Sequence, residues 1–346
     1  MVLRDDIFTS LRLVWGVVPR VFSRMGVVLL LPAALLFSVL VSGCEDGFER
    51  ASVVSTLRVI AVQADNPYPK PGESVELKML WHDGKSPADS PRSVEIMWLG
   101  GCFNPIGDYY NRCYPQLAEK FSEAEGDPSK LSSLFGFGDT YHLDIPADLI
   151  SGRQSAPGQE SYGLTYVFFA ICAGHLRMAE PGDDRLPFGC FTDDGVRLGT
   201  DDYVPGYMGL YSFNKRTNSN PVLNGFTING VFVDANDVPK FPRCTKGSCA
   251  DLKLKVEVEP SSVEENSGYV DNRGNVLTEQ MWVEYLATAG KVQSGPRLVN
   301  DATHGFNDDN GTDYTPPSEA GKQYLFAVVR DSRGGAVWVK QGVMFE

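Results

Sequence analysis

Residues 252–259 (LKLKVEVE) alternate apolar and charged side chains without a break, and a period of two buries one face of a strand, never one face of a helix. Other runs read as strands too: 57–62 (LRVIAV), 74–79 (SVELKM), 94–98 (VEIMW), 141–145 (YHLDI), 281–287 (MWVEYLA) and 324–329 (YLFAVV). Between the first two of these lies 66–72 (NPYPKPG), a turn that no helix would accommodate. Residues 164–172 (LTYVFFAIC) are nearly all apolar, which predicts a central strand buried on both faces. Residues 203–213 (YVPGYMGLYSF) read as the last strand of a first domain, and 331–335 (DSRGG) as a turn into 336–340 (AVWVK). Short strands separated by Pro/Gly turns predict antiparallel β-sandwiches, and 346 residues suffice for two at roughly 100 to 200 residues per domain.

One stretch breaks the rhythm. Pro115 at a first helical position, Leu117 and Phe121 four apart, and a closing glycine predict a short amphipathic helix over 115–126. A second helical piece is expected through Leu131, Leu134 and Phe135 to Gly136, so 102–140 reads as a helical insertion in the first sheet. Residues 173–202 read as a long acidic loop. The expected organisation is a sandwich over 56–214, a linker or bridge over 215–250, opened by KRTNSNP, and a second sandwich over 251–346.

Residues 25–41 (MGVVLLLPAALLFSVLV) form an uncharged apolar run preceded by Arg4, Arg12, Arg20 and Arg24, the shape of a secretory signal. With Gly26 and Pro32 inside it, the run falls short of the roughly 20 apolar residues of a membrane span. The following Leu40-Val41-Ser42-Gly43-Cys44 resembles the lipobox of bacterial lipoproteins. That resemblance implies removal of a signal peptide over 1–43, acyl chains on Cys44, and a polar tether over 44–55. Two or three acyl chains hold a protein stably on a membrane. Glu45 after the cysteine, in place of the inner-membrane Asp signal of the enteric sorting rule, points to the outer membrane. Cleavage would remove four arginines and two aspartates, deepening the net charge from −13 to −15.

Export leaves Cys102, Cys113, Cys172, Cys190, Cys244 and Cys249 in an oxidising compartment. Six cysteines permit about 15 connectivities. Each consecutive pair closes a short loop rich in turn residues, so 102 with 113, 172 with 190 and 244 with 249 are the expected disulfides. The spacings lack the close thiolate pairs that zinc wants.

The second half carries a further resemblance. Residues 314–317 (YTPP), Gly321, Tyr324 and 331–335 resemble the end of bacterial immunoglobulin-like and PKD-like domains, in which a Pro-containing turn precedes a Gly-x-x-Tyr strand and an Asp-x-x-Gly hairpin. It covers about thirty residues. Residues 163–168 and 321–326 share G-x-x-Y-x-F, as weakly related copies would. The resemblance implies a mainly β fold of two antiparallel immunoglobulin-like β-sandwich domains, and implies no reaction.

A net charge of −13 offers no basic field for a phosphate backbone, so nucleic acid is not an expected partner. Four scattered histidines argue against a multi-histidine metal site, and His82 and His175 read as surface polar groups. No nucleophile-elbow, zincin or P-loop motif occurs, and no cofactor is expected. Hard oxygen ligands suit Ca²⁺, for which Asp183, Asp184, Asp193, Asp194, Asp201 and Asp202 are candidates. A second acidic loop, 307–313, fails as an EF-hand because its first ligand would be Phe306. Phe103, Tyr109, Tyr110 and Tyr114, on or beside the first disulfide loop, are candidates to meet a sugar or a protein partner. The expected function is non-catalytic binding or scaffolding by a lipid-anchored envelope protein. A carbohydrate-binding or adhesive module is the alternative, and a lipid-anchored hydrolase the third reading.

Overall fold

The structure, a computed structural model, describes residues 50–346 apart from 88–89, 124–126, 128–129, 131–133, 152, 154–159, 179–187 and 246–248. Its first half carries β1 (Leu57–Ala64), β2 (Ser74–Asp83), β3 (Glu95–Phe103), helix α1 (Cys113–Glu123), β4 (Phe135–Phe137), β5 (Thr140–Asp144) and β6 (Tyr162–Cys172). There follow β7 (His175–Met178), β8 (Phe188–Phe191) and β9 (Tyr203–Phe213). The second half carries β10 (Leu223–Ile228), β11 (Val231–Phe232), β12 (Lys240–Phe241), β13 (Leu252–Val258), β14 (Glu265–Val270) and β15 (Val276–Thr278). It ends with β16 (Met281–Ala287), β17 (Lys291–Val292), β18 (Arg297–Asp301), β19 (Gly305–Phe306), β20 (Thr312–Thr315), β21 (Gly321–Asp331) and β22 (Ala336–Phe345).

The strands stack as two sandwiches. In the first, the sheet β1-β2-β5 faces the sheet β4-β3-β6-β9. Leu77, Met79 and Leu143 of one meet Ile96, Trp98, Val167, Ile171 and Leu210 of the other in a single core. Trp98 is wholly buried there, and its indole N–H donates to the Gly138 carbonyl at 2.8 Å, so its one polar group is met. In the second sandwich, β11-β10-β13-β20-β17 faces β12-β22-β21-β16-β18-β19, with Leu254, Val256 and Tyr314 packed against Val283, Tyr285, Ala327, Val329 and Phe345. The alternation of β13 does what its sequence demands: Leu252, Leu254, Val256 and Val258 are buried and Lys253 is exposed. Strand pairing within both sandwiches is antiparallel except for the short β12, which runs parallel to β22.

The sandwiches are joined along an apolar seam. Ile60 and Ala61 of β1 and Leu80 of β2 pack on Leu286, Phe326 and Val328 of the second sandwich. A register shift between Val59 and Ala61 lets β1 serve both sides, sending Val59 and Val62 to the first core and Ile60 and Ala61 to the seam. The Arg330 guanidinium donates to the Ile60 carbonyl at 2.7 Å, and Asn220 donates to Ala64 at 2.7 Å while accepting from the Ala336 N–H at 2.9 Å. The chain joins this seam from Ser52, whose carbonyl accepts from the Ala287 N–H at 2.9 Å.

Several expectations are corrected. Phe135–Phe137 is a strand paired with β3, not the end of a helix; the pairing satisfies backbone groups on the edge of β3 that a helix would leave open. Helix α1 starts at Cys113, two residues before Pro115. The stretch 173–202 contains the β7–β8 hairpin, and 215–250 supplies β10 and β12 to the second sandwich. β10 turns into β11 through Asn229 and Gly230, at φ 53° and 76°, the positive pair that a two-residue hairpin requires. Disulfides join Cys102 to Cys113, Cys172 to Cys190, and Cys244 to Cys249. No helix among the described residues is long and apolar enough to cross a membrane. Cys44 lies outside the described residues.

Candidate functional site

β9 is an edge strand, and its register on β6 sets Tyr166 opposite Gly209, Phe168 opposite Tyr207 and Tyr162 opposite Phe213. Period-two alternation sends Val204, Met208 and Leu210 towards the core and Tyr207, Gly209 and Tyr211 to the other face. That outer face is partly covered by the insertion after β3. Leu117 and Cys113 of α1 bury themselves against Leu99, Tyr166 and Phe168, with the Cys102–Cys113 disulfide fixing the start of the helix.

The insertion reaches the sheet through two residues in left-handed backbone, Asn104 at φ 45° and Asp108 at φ 60°. Short polar side chains tolerate that region because they bond locally. The Asn104 side-chain oxygen accepts from the Leu164 N–H at 2.9 Å, and its amide donates to the Leu149 carbonyl at 2.6 Å. The Asp108 carboxylate takes both an Arg153 guanidinium nitrogen at 2.6 Å and the Tyr162 hydroxyl, and its carbonyl accepts from the Tyr166 hydroxyl at 2.9 Å. Partial burial works to raise the Asp108 carboxyl, but the bonds from Tyr162 and Arg153 outweigh it and hold the group below the usual carboxylate range. The same bond pushes the Tyr162 hydroxyl up. One aspartate thus fixes the hydroxyl ends of two tyrosines.

Above this base the rings line up. Tyr110 stacks on Tyr207 with centroids 4.4 Å apart and planes 18° apart, Tyr166 meets Tyr207 edge-on at 5.6 Å, and Tyr162 tilts against Tyr211 at 5.7 Å. Such pairs contribute roughly 0.5–1.5 kcal/mol each beyond area burial. Yet Tyr109, Tyr110, Tyr114, Tyr207 and Tyr211 remain 66, 41, 46, 48 and 43% exposed. Contiguous exposed aromatic surface of this kind marks an interaction site more often than a scatter of single apolar residues does.

Of the predicted contact residues, Tyr110 belongs to this face through Tyr207, and Tyr114 through Phe168 at 6.1 Å. Tyr109 projects from the same loop. Phe103 does not belong: it packs on the first core, with the Lys120 ammonium 5.2 Å from its ring centroid. Tyr162, Tyr166, Tyr207, Tyr211 and Asp108 were not foreseen. A spacing of four along a strand, as in Tyr162/Tyr166 and Tyr203/Tyr207/Tyr211, puts rings on one face and is the signal that would have found them.

Among the described residues the calcium candidates are not gathered into a site. Asp183 and Asp184 lie outside the described residues. Asp193 bonds to His175 Nε2 at 2.6 Å, and Asp194 accepts from the Thr192 hydroxyl. Asp201 and Asp202 bracket the Lys85 ammonium at 3.1 and 3.2 Å, and Asp202 also takes Arg92 at 2.8 Å. In the 307–313 loop, Asp308 pairs with Lys255 at 2.9 Å and Asp309 with Arg297 at 3.7 Å. Each carboxylate has its own cation or local donor, and among the described residues no three His, Cys, Asp or Glu side chains are placed to hold a metal ion. His175 bridges Glu95 and Asp193, which raise its pKa. His82 is no surface group: it is part-buried in the seam between Tyr324 and Phe326, and burial followed by the Lys340 charge lowers its pKa to about 4.

No protein-family model matches the chain, and no curated protein does. Among solved structures it is similar to the N-terminal Ig1-2 module of the Drosophila receptor protein tyrosine phosphatase DLAR, at 10% identity over 84% of this chain and 99% of that one, with a TM-score of 0.21. Dimeric latent PorU from Porphyromonas gingivalis matches at 12% identity over 85% of this chain and 24% of its own, TM-score 0.21. The three N-terminal domains of the bacteriophage RB49 outer capsid protein Hoc match at 9% over 84% and 99%, TM-score 0.17. Superpositions this loose carry no weight; the sandwich assignment stands on the chain's own sheets and cores.

Proposed function

We propose that this chain is a lipid-anchored binding or scaffold protein of the bacterial cell envelope, without catalytic activity of its own, and that the tyrosine face of the first sandwich is its recognition surface. The observation that carries this reading is the set of exposed rings, of which Tyr207 and Tyr211 rest on Tyr166 and Tyr162, the two rings Asp108 fixes, and Tyr110 stacks on Tyr207. Ordering five large side chains at the surface costs conformational entropy that the fold itself does not need, and a preformed face lowers that cost on binding. Acyl chains on Cys44 would confine the face near a membrane and raise its effective concentration towards a neighbour.

The test is a photo-crosslinking amino acid placed at Tyr207 in the full chain, irradiated in native envelopes, with the same residue at Val231 as a control on another exposed surface. A discrete adduct from position 207 and none from 231 is expected. No adduct from 207, or the same adducts from both positions, would remove the face as a recognition surface.

A further inference from the structure

The shape of the tyrosine face narrows what it takes. Tyr207 and Tyr211 stand four residues apart on one side of β9, about 13 Å at the rise of a strand. Gly209 lies between them, and a Cβ there would come within 3.2 Å of the Tyr166 ring, so Tyr166 floors the interval. The result is a strip of ring, floor and ring, longer than any single sugar ring, with Tyr110 stacked on the Tyr207 end and Tyr166 standing edge-on to it. At its Tyr211 end the strip opens into a cleft of about 180 Å³ walled by Tyr68 and Tyr211, with Ser332 and Arg333 at the rim. With water occupying roughly 30 Å³, that is room for one ring-sized group.

Aromatic faces carry negative charge density and attract polarised C–H groups, which pyranose rings present on a flat side while their hydroxyls point outward. The polar groups beside the strip suit such hydroxyls: tyrosine O–H groups, the Asp108 carboxylate and the Arg153 guanidinium. Charge selects further. Asp108 and Arg153 neutralise each other, Arg333 is already paired with Glu264 and Glu279, and the chain as a whole carries −13. A polyanion meets no free cation in these pairs and a repelling field beyond them.

We infer that the strip binds a neutral polysaccharide, laid along β9 across Tyr207, Tyr166 and Tyr211, with one sugar unit entering the cleft at Tyr68. This rests on the recognition face proposed above and names its ligand class.

The experiment uses the detergent-solubilised full chain. Cosedimentation with insoluble cellulose and chitin, and affinity electrophoresis through gels holding hydroxyethylcellulose, galactomannan or dextran, probe neutral polymers; polygalacturonate and heparin probe anionic ones. Retention by at least one neutral polymer is expected, weakened roughly tenfold by Tyr207→Ala and by Tyr211→Ala, the usual scale of a stacking contact. Tyr211→Phe, which keeps the ring, is expected to hold within about twofold, and Val231→Ala to change nothing. Near-ultraviolet circular dichroism establishes that each variant is folded. Retention by no neutral polymer, retention insensitive to both alanine variants, or preference for the anionic polymers overturns the inference. If neutral polymers fail while position 207 still crosslinks to a discrete envelope component, the ligand class falls and the recognition face stands; if both fail, both fall.

Discussion

Asp83 ends β2 with 2% of its side chain exposed, a position where an uncompensated carboxylate would not be tolerated. Burial works to raise its pKa, but Arg92, the Ser86 hydroxyl and the Lys85 N–H together hold it below the usual range. Arg92 does so in a fork, Nε and Nη2 each 2.7 Å from a different carboxylate oxygen, while its Nη1 reaches Asp202. Arg92→Ala leaves Asp83 buried with the Ser86 and Lys85 donors but without its cation, and is expected to cost about 3 kcal/mol in urea unfolding, as broken buried pairs do. Arg92→Lys recovers only part, since an ammonium cannot supply the fork. A loss under about 0.5 kcal/mol for Arg92→Ala, the range of surface substitutions, would mean that water reaches Asp83. Nothing in residues 83–92 (DGKSPADSPR) announces this pair, because the sequence shows charges without showing which are dry. The tyrosine face failed to appear for a different reason. Residues 203–213 were legible as a strand, but only the register on β6 brings Tyr166 under Gly209, and only the folding of the insertion onto the sheet brings Tyr110 onto Tyr207.

Strands were legible where their pattern had a single cause. β13 alternates because one face is wet; β6 and residues 324–329 of β21 read as nearly all apolar because both faces are covered, β21 by its own core and by the seam. β4 was misread because Phe135 and Gly136 follow a helix-like run, and two phenylalanines around one glycine carry no period of their own. β10 and β11 went unassigned although Asn229-Gly230 is a strong hairpin signal, since the strands on either side are short. The seam was invisible, being a contact between elements far apart in sequence, and it has a measurable signature in His82. That ring's pKa is lowered to about 4 by burial first and by Lys340 second. The unfolded chain, with an ordinary histidine near 6.5, therefore binds the proton first as pH falls. The contribution of the neutral ring is fully present above about pH 6.5 and is lost as pH drops towards 4, a change of about 3 kcal/mol over that window. Comparing unfolding free energies of the parent and His82→Phe at pH 7.5 and 4.5 isolates the effect, because other acid-sensitive groups cancel in the difference. The parent is expected to lose more stability than the variant on acidification; parallel losses would show that His82 is solvated.

At the scale of the molecule, two sandwiches share a seam that the chain enters at Ser52, and Cys44 lies upstream of that packing. The anchor proposed for Cys44 and the described fold are tested apart by one substitution. Acyl chains contribute about 0.8 kcal/mol for each buried methylene, so two or three of them outweigh the hydration of an acidic protein by many orders of magnitude in partition. Cys44→Ser removes the only sulfur the lipobox offers and leaves the sequence of the seam and of both cores unchanged. On phase separation of a cloud-point detergent, the parent is expected in the detergent phase and Cys44→Ser in the aqueous phase, with the incorporation of labelled palmitate lost. The melting temperature should stay within about a degree, because the substitution alters no residue of the described fold from Arg50 onward. A variant that still partitions into detergent would place the anchor elsewhere in the chain. A variant that moves to the aqueous phase but melts much lower would mean that residues before Ser52 stabilise the seam, and the tether would have to be counted as part of the fold.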